Sequence, residues 1–243
     1  MSEALEIPTD IKSRVSEEEW KTREDLAAAY RLVAHYGWDD MVFTHLSARV
    51  PGPDEHFLLN PFGVLFEEVT ASSLVKIDLD GAVVLDNGYQ VNAAGFTIHS
   101  AIHGAREDAQ AVMHLHTDAG VAVSCMKEGF LPLNQHAMFV YHDIAYHDWE
   151  GVALNLDERE RLIADIEDKH LMILRNHGTL AVGGSIASCF MRLYFLERAC
   201  AIQAKTINAN LHMPSDQATL MMKETFNNPD SWEGIAATAW PAM

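Results

Sequence analysis

Apolar residues recur at helical spacing from Trp20 through Leu26, Ala27, Tyr30, Val33 and Ala34, directly after Ser16-Glu17-Glu18-Glu19. A Ser with Glu three positions on is a capping box that opens a helix, and Gly37 ends it as a left-handed residue. From Met41 to Leu85 the pattern shortens to β-prone pieces at Thr44 to Val50, His56 to Leu59 and Leu74 to Asp78. Pro51-Gly52-Pro53, Asn60-Pro61-Phe62-Gly63 and Asp80-Gly81 divide them, so antiparallel strands with tight turns are expected. Helical periodicity returns over Phe96 to Ala105, and Gln110 to Gly120 then alternates as a strand, with Asp118 placed to cap a helix through Met126.

Between Phe130 and Trp149 the period is lost, and Pro132, Gln135, His136, Tyr141, His142 and His147 are assigned to loop or short strand. Asp157-Glu158-Arg159-Glu160 opens a helix to about Lys169, its acidic residues suiting the positive helix end. Leu171 to Gly184 reads as a strand segment with His177 at a tip, and Ile186 to about Leu211 as the longest helix, with an apolar face broad enough for both core and a neighbouring subunit. Residues 1–15 read as a flexible arm, 16–212 as one domain, and 213–243 as a tail whose Trp232 and Trp240 are available for docking, a neighbouring subunit included.

Composition narrows the partners. A chain of 243 residues, 49% hydrophobic and 21% charged, fits one globular domain with a single core. The formal charge of −18 and the absence of a dense Lys/Arg run argue against nucleic acid and anionic membranes and favour a small-molecule substrate. No apolar run is long enough to span a bilayer and the N-terminus has no leader pattern, so a cytoplasmic protein is expected. Cys125, Cys189 and Cys200, without metal-type spacing, read as buried free thiols.

The strand at Gln110 to Gly120 carries the candidate chemistry. Alternation sends His114 and His116 to one face while Met113 and Leu115 point to the other, so two imidazoles can grip one metal ion. With His177 they would give three ligands and one open position, although 13 histidines make chance pairs common.

Val112-Met113-His114-Leu115-His116-Thr117, preceded by Ile98-His99-Ser100-Ala101-Ile102-His103 and followed by Arg175-Asn176-His177-Gly178, resembles the class II aldolase/adducin family. The likeness runs from about Leu26 through Ala204 and takes in Thr44 to Arg49, Asn60 to Gly63 and Leu131-Pro132-Leu133. It implies a three-layer α/β/α fold with a central, largely antiparallel sheet flanked by helices. It also implies a C4 homotetramer with the site near a subunit interface, and one divalent metal held by His114, His116 and His177. Zinc leads as that ion, with manganese, iron and cobalt as alternatives because three imidazoles suit several ions. In aldolase members the metal polarises a carbonyl and stabilises the enediolate left by carbon–carbon cleavage.

The chain departs from that pattern at two places. Where sugar-phosphate aldolases have Ser-Ser-Glu, this chain has Ala93-Ala94-Gly95, which removes both phosphate-holding serines and the acid/base Glu. The family's phosphate-site Asn appears as His45. The resemblance therefore implies a metal-dependent lyase for an unphosphorylated hydroxy-keto acid or hydroxy-aromatic carboxylate, by decarboxylation or retro-aldol cleavage. A catalytically inactive adducin-like module and a dehydratase or epimerase are the alternatives.

His99 and His103, one turn apart, are candidate replacements for the Glu, with Tyr141 next and His136 and Asp118 weaker. His45, Arg49, Asn60, Gly63 and Gly95 correspond to substrate-cradle segments. Arg49 could hold a carboxylate and Gly63 equally suits a turn of positive φ. Arg175 and Asn176 could orient His177.

Overall fold

The computed structural model describes residues 11–91, 93–151, 157–206, 208–226 and 228–243, with the side chains of 93–96 outside that description. Helix α1 (Glu17–His35) leads into strands β1 (His45–Arg49), β2 (Phe57–Leu59), β3 (Val75–Ile77) and β4 (Val83–Leu85). Then come α2 (Ala93–Ala105), β5 (Ala111–Leu115), α3 (Asp118–Ser124), α4 (Gln135–Val140), β6 (Ile144–His147) and α5 (Glu158–Ile166). The chain ends with β7 (Leu171–Leu174), β8 (Gly178–Gly183), α6 (Ile186–Thr206), α7 (Asp216–Phe226) and α8 (Pro229–Ala239). The strands form one eight-stranded sheet, β4-β3-β2-β1-β5-β8-β7-β6. Every pairing is antiparallel except β6 with β7 at the edge.

Both faces of this sheet are covered, which is why β5, β7 and β8 are buried at every position and read as nearly continuous apolar runs. Leu46, Ala48, Met113, Leu115, Ile173 and Ala181 face a core shared with α1 and α6. Their alternates Val112, Met172, Leu174, Leu180 and Val182 join Ile98, Ile102, Leu162 and Ile166 from α2 and α5 on the other side. By the same alternation His45, Ser47, Arg49 and His114 share the face that α2 covers. The expected three-layer α/β/α architecture is the one observed.

Local chemistry explains most helix ends. Ser16 caps α1, its Oγ 3.1 Å from the Glu19 amide, but Glu19 does not reach back to complete the box. Its buried carboxylate instead binds Arg23 at 2.9 Å and Lys76 at 2.8 Å, tying α1 to β3. Gly37 has φ +66 and closes the helix as expected. Helix α2 begins at Ala93, three residues before the periodicity does, and the cap of α3 is Thr117, accepting from the Gly120 amide, with Asp118 as the first helical residue.

Three stretches differ from the sequence reading. Residues expected as loop or short strand after Phe130 include a helix, α4, capped by Asn134, ahead of the strand β6. The segment 213–243, read as a tail, contains helices α7 and α8, which pack on their own chain. Trp232 is buried beneath Arg192, and the Trp240 indole lies 3.4 Å from Asp25 of α1. Ile11, assigned to the arm, is buried ahead of a short helical turn, Lys12–Arg14, and the rest of that arm, residues 1–10, lies outside the described residues. Cys189 and Cys200 are buried free thiols, whereas Cys125 is exposed. Among the described residues no helix is long and apolar enough to cross a membrane.

Candidate metal centre

His114 lies within β5, His116 just past its end, and His177 closes the three-residue turn Arg175 to His177 between β7 and β8. Because β5 and β8 are neighbours, with Leu115 opposite Thr179, the turn delivers His177 beside the other two. Asn176 takes φ +57 inside this turn, a conformation Asn tolerates, and Arg175 anchors it by bonding the Met126 carbonyl and stacking on Tyr146. The three ring centroids are mutually 4.7 Å apart. One nitrogen from each ring lies within 4.8 Å of the others.

Hydrogen bonding sets which nitrogens converge. The Nδ1 of His114 is 2.9 Å from the Thr179 carbonyl, which can only accept, so the ring proton sits on Nδ1 and Nε2 carries a lone pair. His116 Nδ1 is 3.2 Å from the Asp40 carboxylate, with the same consequence. The two Nε2 atoms then face each other at 2.9 Å. Two lone pairs at that separation repel unless a cation lies between them, so the donor set fits a divalent ion. Burial holds His114 well below its ordinary range and His177 at about 4, with help from neighbouring imidazoles, and leaves both neutral, the ligating form, at pH 7. Removing the orienting carboxylate by Asp40→Ala is expected to weaken zinc binding about 10–100-fold, measured by competition with a chromogenic chelator.

A cavity of about 380 Å³ opens against His116, and Trp38, Asp39, Asp40, Asp118 and Glu197 help line it. No Lys or Arg is among its described lining residues. Glu197 of α6 is fully buried. It accepts a hydrogen bond from Thr117 at 2.5 Å and another from Thr179, joining α6 to β8 and to the cap of α3 just past β5. Burial pushes its carboxyl up.

On the α2 side, His45 stands opposite His114 across the β1–β5 pairing, its ring 5.2 Å from that of His114. Its Nδ1 is 2.8 Å from His99 Nε2; His99 Nδ1 is 2.5 Å from Ser47 Oγ; and Ser47 Oγ is 2.7 Å from His103 Nε2. His103 finishes the chain at the Ala109 carbonyl, 2.8 Å away, and stacks on Phe57. His99 and His103, expected as acid/base groups, thus spend every ring nitrogen on internal partners and have none left to meet a substrate. Burial depresses His103 to about 3 and His45 and His99 well below the usual 6.5.

These shifts carry a stability prediction. Unfolded histidines titrate near 6.5, so below that pH the unfolded chain binds protons that the folded chain refuses. Stability is complete above 6.5 and falls with pH until the folded values are reached. By pH 5.5 each such histidine costs about 1.4 kcal/mol. Urea midpoints of metal-free protein at pH 7.5 and 5.5 should show the drop; equal midpoints would contradict it.

The remaining candidates lie elsewhere. Arg49, expected at a substrate carboxylate, bonds the His103 carbonyl, lies 3.6 Å from Glu55 and stacks on Phe57. Four residues of strand, about 13 Å, separate it from His45. Asn60 is buried, its Oδ1 2.9 Å from the Tyr30 hydroxyl, which also binds the backbone of Leu46. Gly63 has φ +86 with open space around it, a turn requirement. Tyr141 begins a helical turn and rests on His142 and the core, and His136 lies over Phe195. Gly95 falls in the first turn of α2, where side chains are outside the description, and so its expected cradle role, with the substitutions at Ala93 and Ala94, lies outside the described residues. The sequence reading missed Asp40, Ser47, Thr117 and Glu197. Only Glu197, a carboxylate between Leu196 and Ala199 on an apolar helix face, left a visible mark.

Residues 24–204 match the Class II Aldolase and Adducin N-terminal domain. The chain belongs to the class II aldolase and adducin family. Its relatives include a provisionally named aldolase class 2 protein of Caulobacter vibrioides, 61% identical over 203 residues that cover 83% of this chain and 79% of that one. Mouse alpha-adducin is 45% identical over 186 residues, 75% of this chain but 25% of adducin. The structure of an L-fuculose 1-phosphate aldolase from Glaciozyma antarctica superposes with a TM-score of 0.80 at 33% identity, covering 91% of this chain and 87% of that one. The class II aldolase fold thus carries both enzymes and adducin heads, and the histidine triad lies within the matched region.

Proposed function

We propose that this family member is a divalent-metal-dependent lyase for a small, unphosphorylated hydroxy-keto acid or hydroxy-aromatic carboxylate, cleaving a carbon–carbon bond by decarboxylation or retro-aldol reaction. The observation that carries this reading is the pair of oriented Nε2 lone pairs of His114 and His116 facing each other beside His177. A divalent ion, zinc first, held by these three residues supplies Lewis-acid polarisation of a substrate oxygen. Thr179 and Asp40 keep the two imidazoles aimed.

Substrate class follows from charge. The cavity beside His116 presents Asp39, Asp40, Asp118 and Glu197, with no Lys or Arg among its described lining residues, which disfavours a phosphate dianion. His45 replaces the phosphate-site Asn and is tied to His99. With Gly95 where the acid/base Glu would stand, decarboxylation is favoured, since its first step removes no hydroxyl proton. The protein is proposed to work as a cytoplasmic homotetramer with the site near a subunit interface.

Metal analysis of purified protein, combined with carbon dioxide and aldehyde release assays across hydroxy-keto and hydroxy-aromatic acids, tests this. Saturable turnover of fuculose- or ribulose-type phosphates with none of the unphosphorylated compounds would overturn the substrate class. Metal-free protein with all three histidines intact would favour the second reading, an adducin-like oligomerisation module, which the 45% identity to alpha-adducin supports.

A further inference from the structure

Between His45 and the Ala109 carbonyl run five polar groups in an unbroken hydrogen-bonded line: His45, His99, Ser47, His103 and the carbonyl itself. All four side chains are at least 95% buried. Such a line has a direction, and one end of it is fixed. A carbonyl only accepts, so His103 must donate from Nδ1. Burial keeps His103 neutral, with its pKa near 3, so its Nε2 is bare and Ser47 must donate to it. The hydroxyl has one proton, now used, and therefore accepts from His99 Nδ1. His99 is also held neutral by burial, leaving Nε2 bare to accept from His45 Nδ1.

We infer that the line running back from the Ala109 carbonyl through His103, Ser47 and His99 fixes His45 as the Nδ1–H tautomer. His45 Nε2 is then a hydrogen-bond acceptor at the metal centre and selects a ligand carrying a hydroxyl donor. Its place on the sheet supports this. His45 is the cross-strand partner of His114 on the same face, and the two rings lie 5.2 Å apart. A phosphate oxygen without a proton has nothing to donate to that lone pair, whereas an alcohol or phenol does. Ser47 and His103 act through His45 and are positioning residues. The inference rests on the proposed hydroxy-acid reading and adds to it the group that recognises the hydroxyl.

The test is nitrogen-15 histidine NMR on zinc-loaded protein, where two-bond couplings tell the tautomers apart. His45, His99 and His103 are all expected as Nδ1–H, the form disfavoured in free histidine. His45 found as Nε2–H would overturn the inference. Ser47→Ala should release His45 to a mixture of tautomers. His103→Gln, whose amide can donate to Ala109 and accept from Ser47, should keep the single form. Calorimetric titration with two zinc-chelating probes, glycolate and its O-methyl ether methoxyacetate, reads the selectivity. The wild-type preference for glycolate should shrink about tenfold in Ser47→Ala, the worth of one hydrogen bond, and persist in His103→Gln. An unchanged preference in Ser47→Ala with zinc still bound would overturn the role assigned to His45. Absence of lyase turnover alongside the expected tautomers and preference would sink the proposed reaction and uphold this inference.

Discussion

His177→Ala is expected to leave a folded protein that no longer retains metal through dialysis, falling from about one zinc per chain to none. His177 belongs to a turn and not to the core, so truncation removes little packed surface. What it removes is the third donor. His114 and His116 alone present two imidazoles, too few for a closed or a catalytic zinc site. The loss of affinity should exceed the roughly 10–100-fold that removing an outer partner costs, and turnover of any substrate should disappear with it. Full zinc occupancy at wild-type affinity in His177→Ala would remove this residue from the ligand set.

Gly178→Ala should strike both fold and site. A Cβ at Gly178 would lie 2.3 Å from the Leu115 carbonyl oxygen and 3.2 Å from the His116 ring. The first contact is backbone held in the β5–β8 ladder, so it cannot swing aside. Relief requires spreading the two strands that bring His116 and His177 together. Overpacking of this kind costs about 3 kcal/mol, and zinc affinity should fall as well, although no ligand has been changed. Gly234→Ala is the control. Gly234 lies inside α8 with open space around it, and alanine there should stabilise by about 0.5–1 kcal/mol. Urea denaturation of both variants checks the pair, and equal effects would contradict the steric account.

The sequence made legible those features whose causes are local. Ser16, Gly37 and the alternation at His114 act within a few residues of themselves, so their consequences can be read without the fold. Even the missed helices had local marks: Asn134 accepts from Ala137, and Asn228 precedes Pro229 at the first turn of α8. His177 is visible at a strand tip after an apolar run, and the family resemblance ties it to His114 and His116. Arg49 and His99 show a different limit of the sequence. Both residue types suit substrate chemistry, and only strand register and helix placement reveal that each is committed to other partners. Ser47, an unremarked serine in a strand, becomes the link between two histidines because β1 lies under α2.

The triad also sets an order of events for a newly made chain. His116 and His177 are 61 positions apart, and between them lie α3, α4, β6, α5 and β7. They meet only when β5 pairs with β8, a contact that must close a long loop before it gains anything. His45 joins through an equally non-local pairing, 69 positions from His114. Capture of the proposed ion is therefore expected only after β5 and β8 have docked, and the appearance of bound metal during refolding would time that pairing.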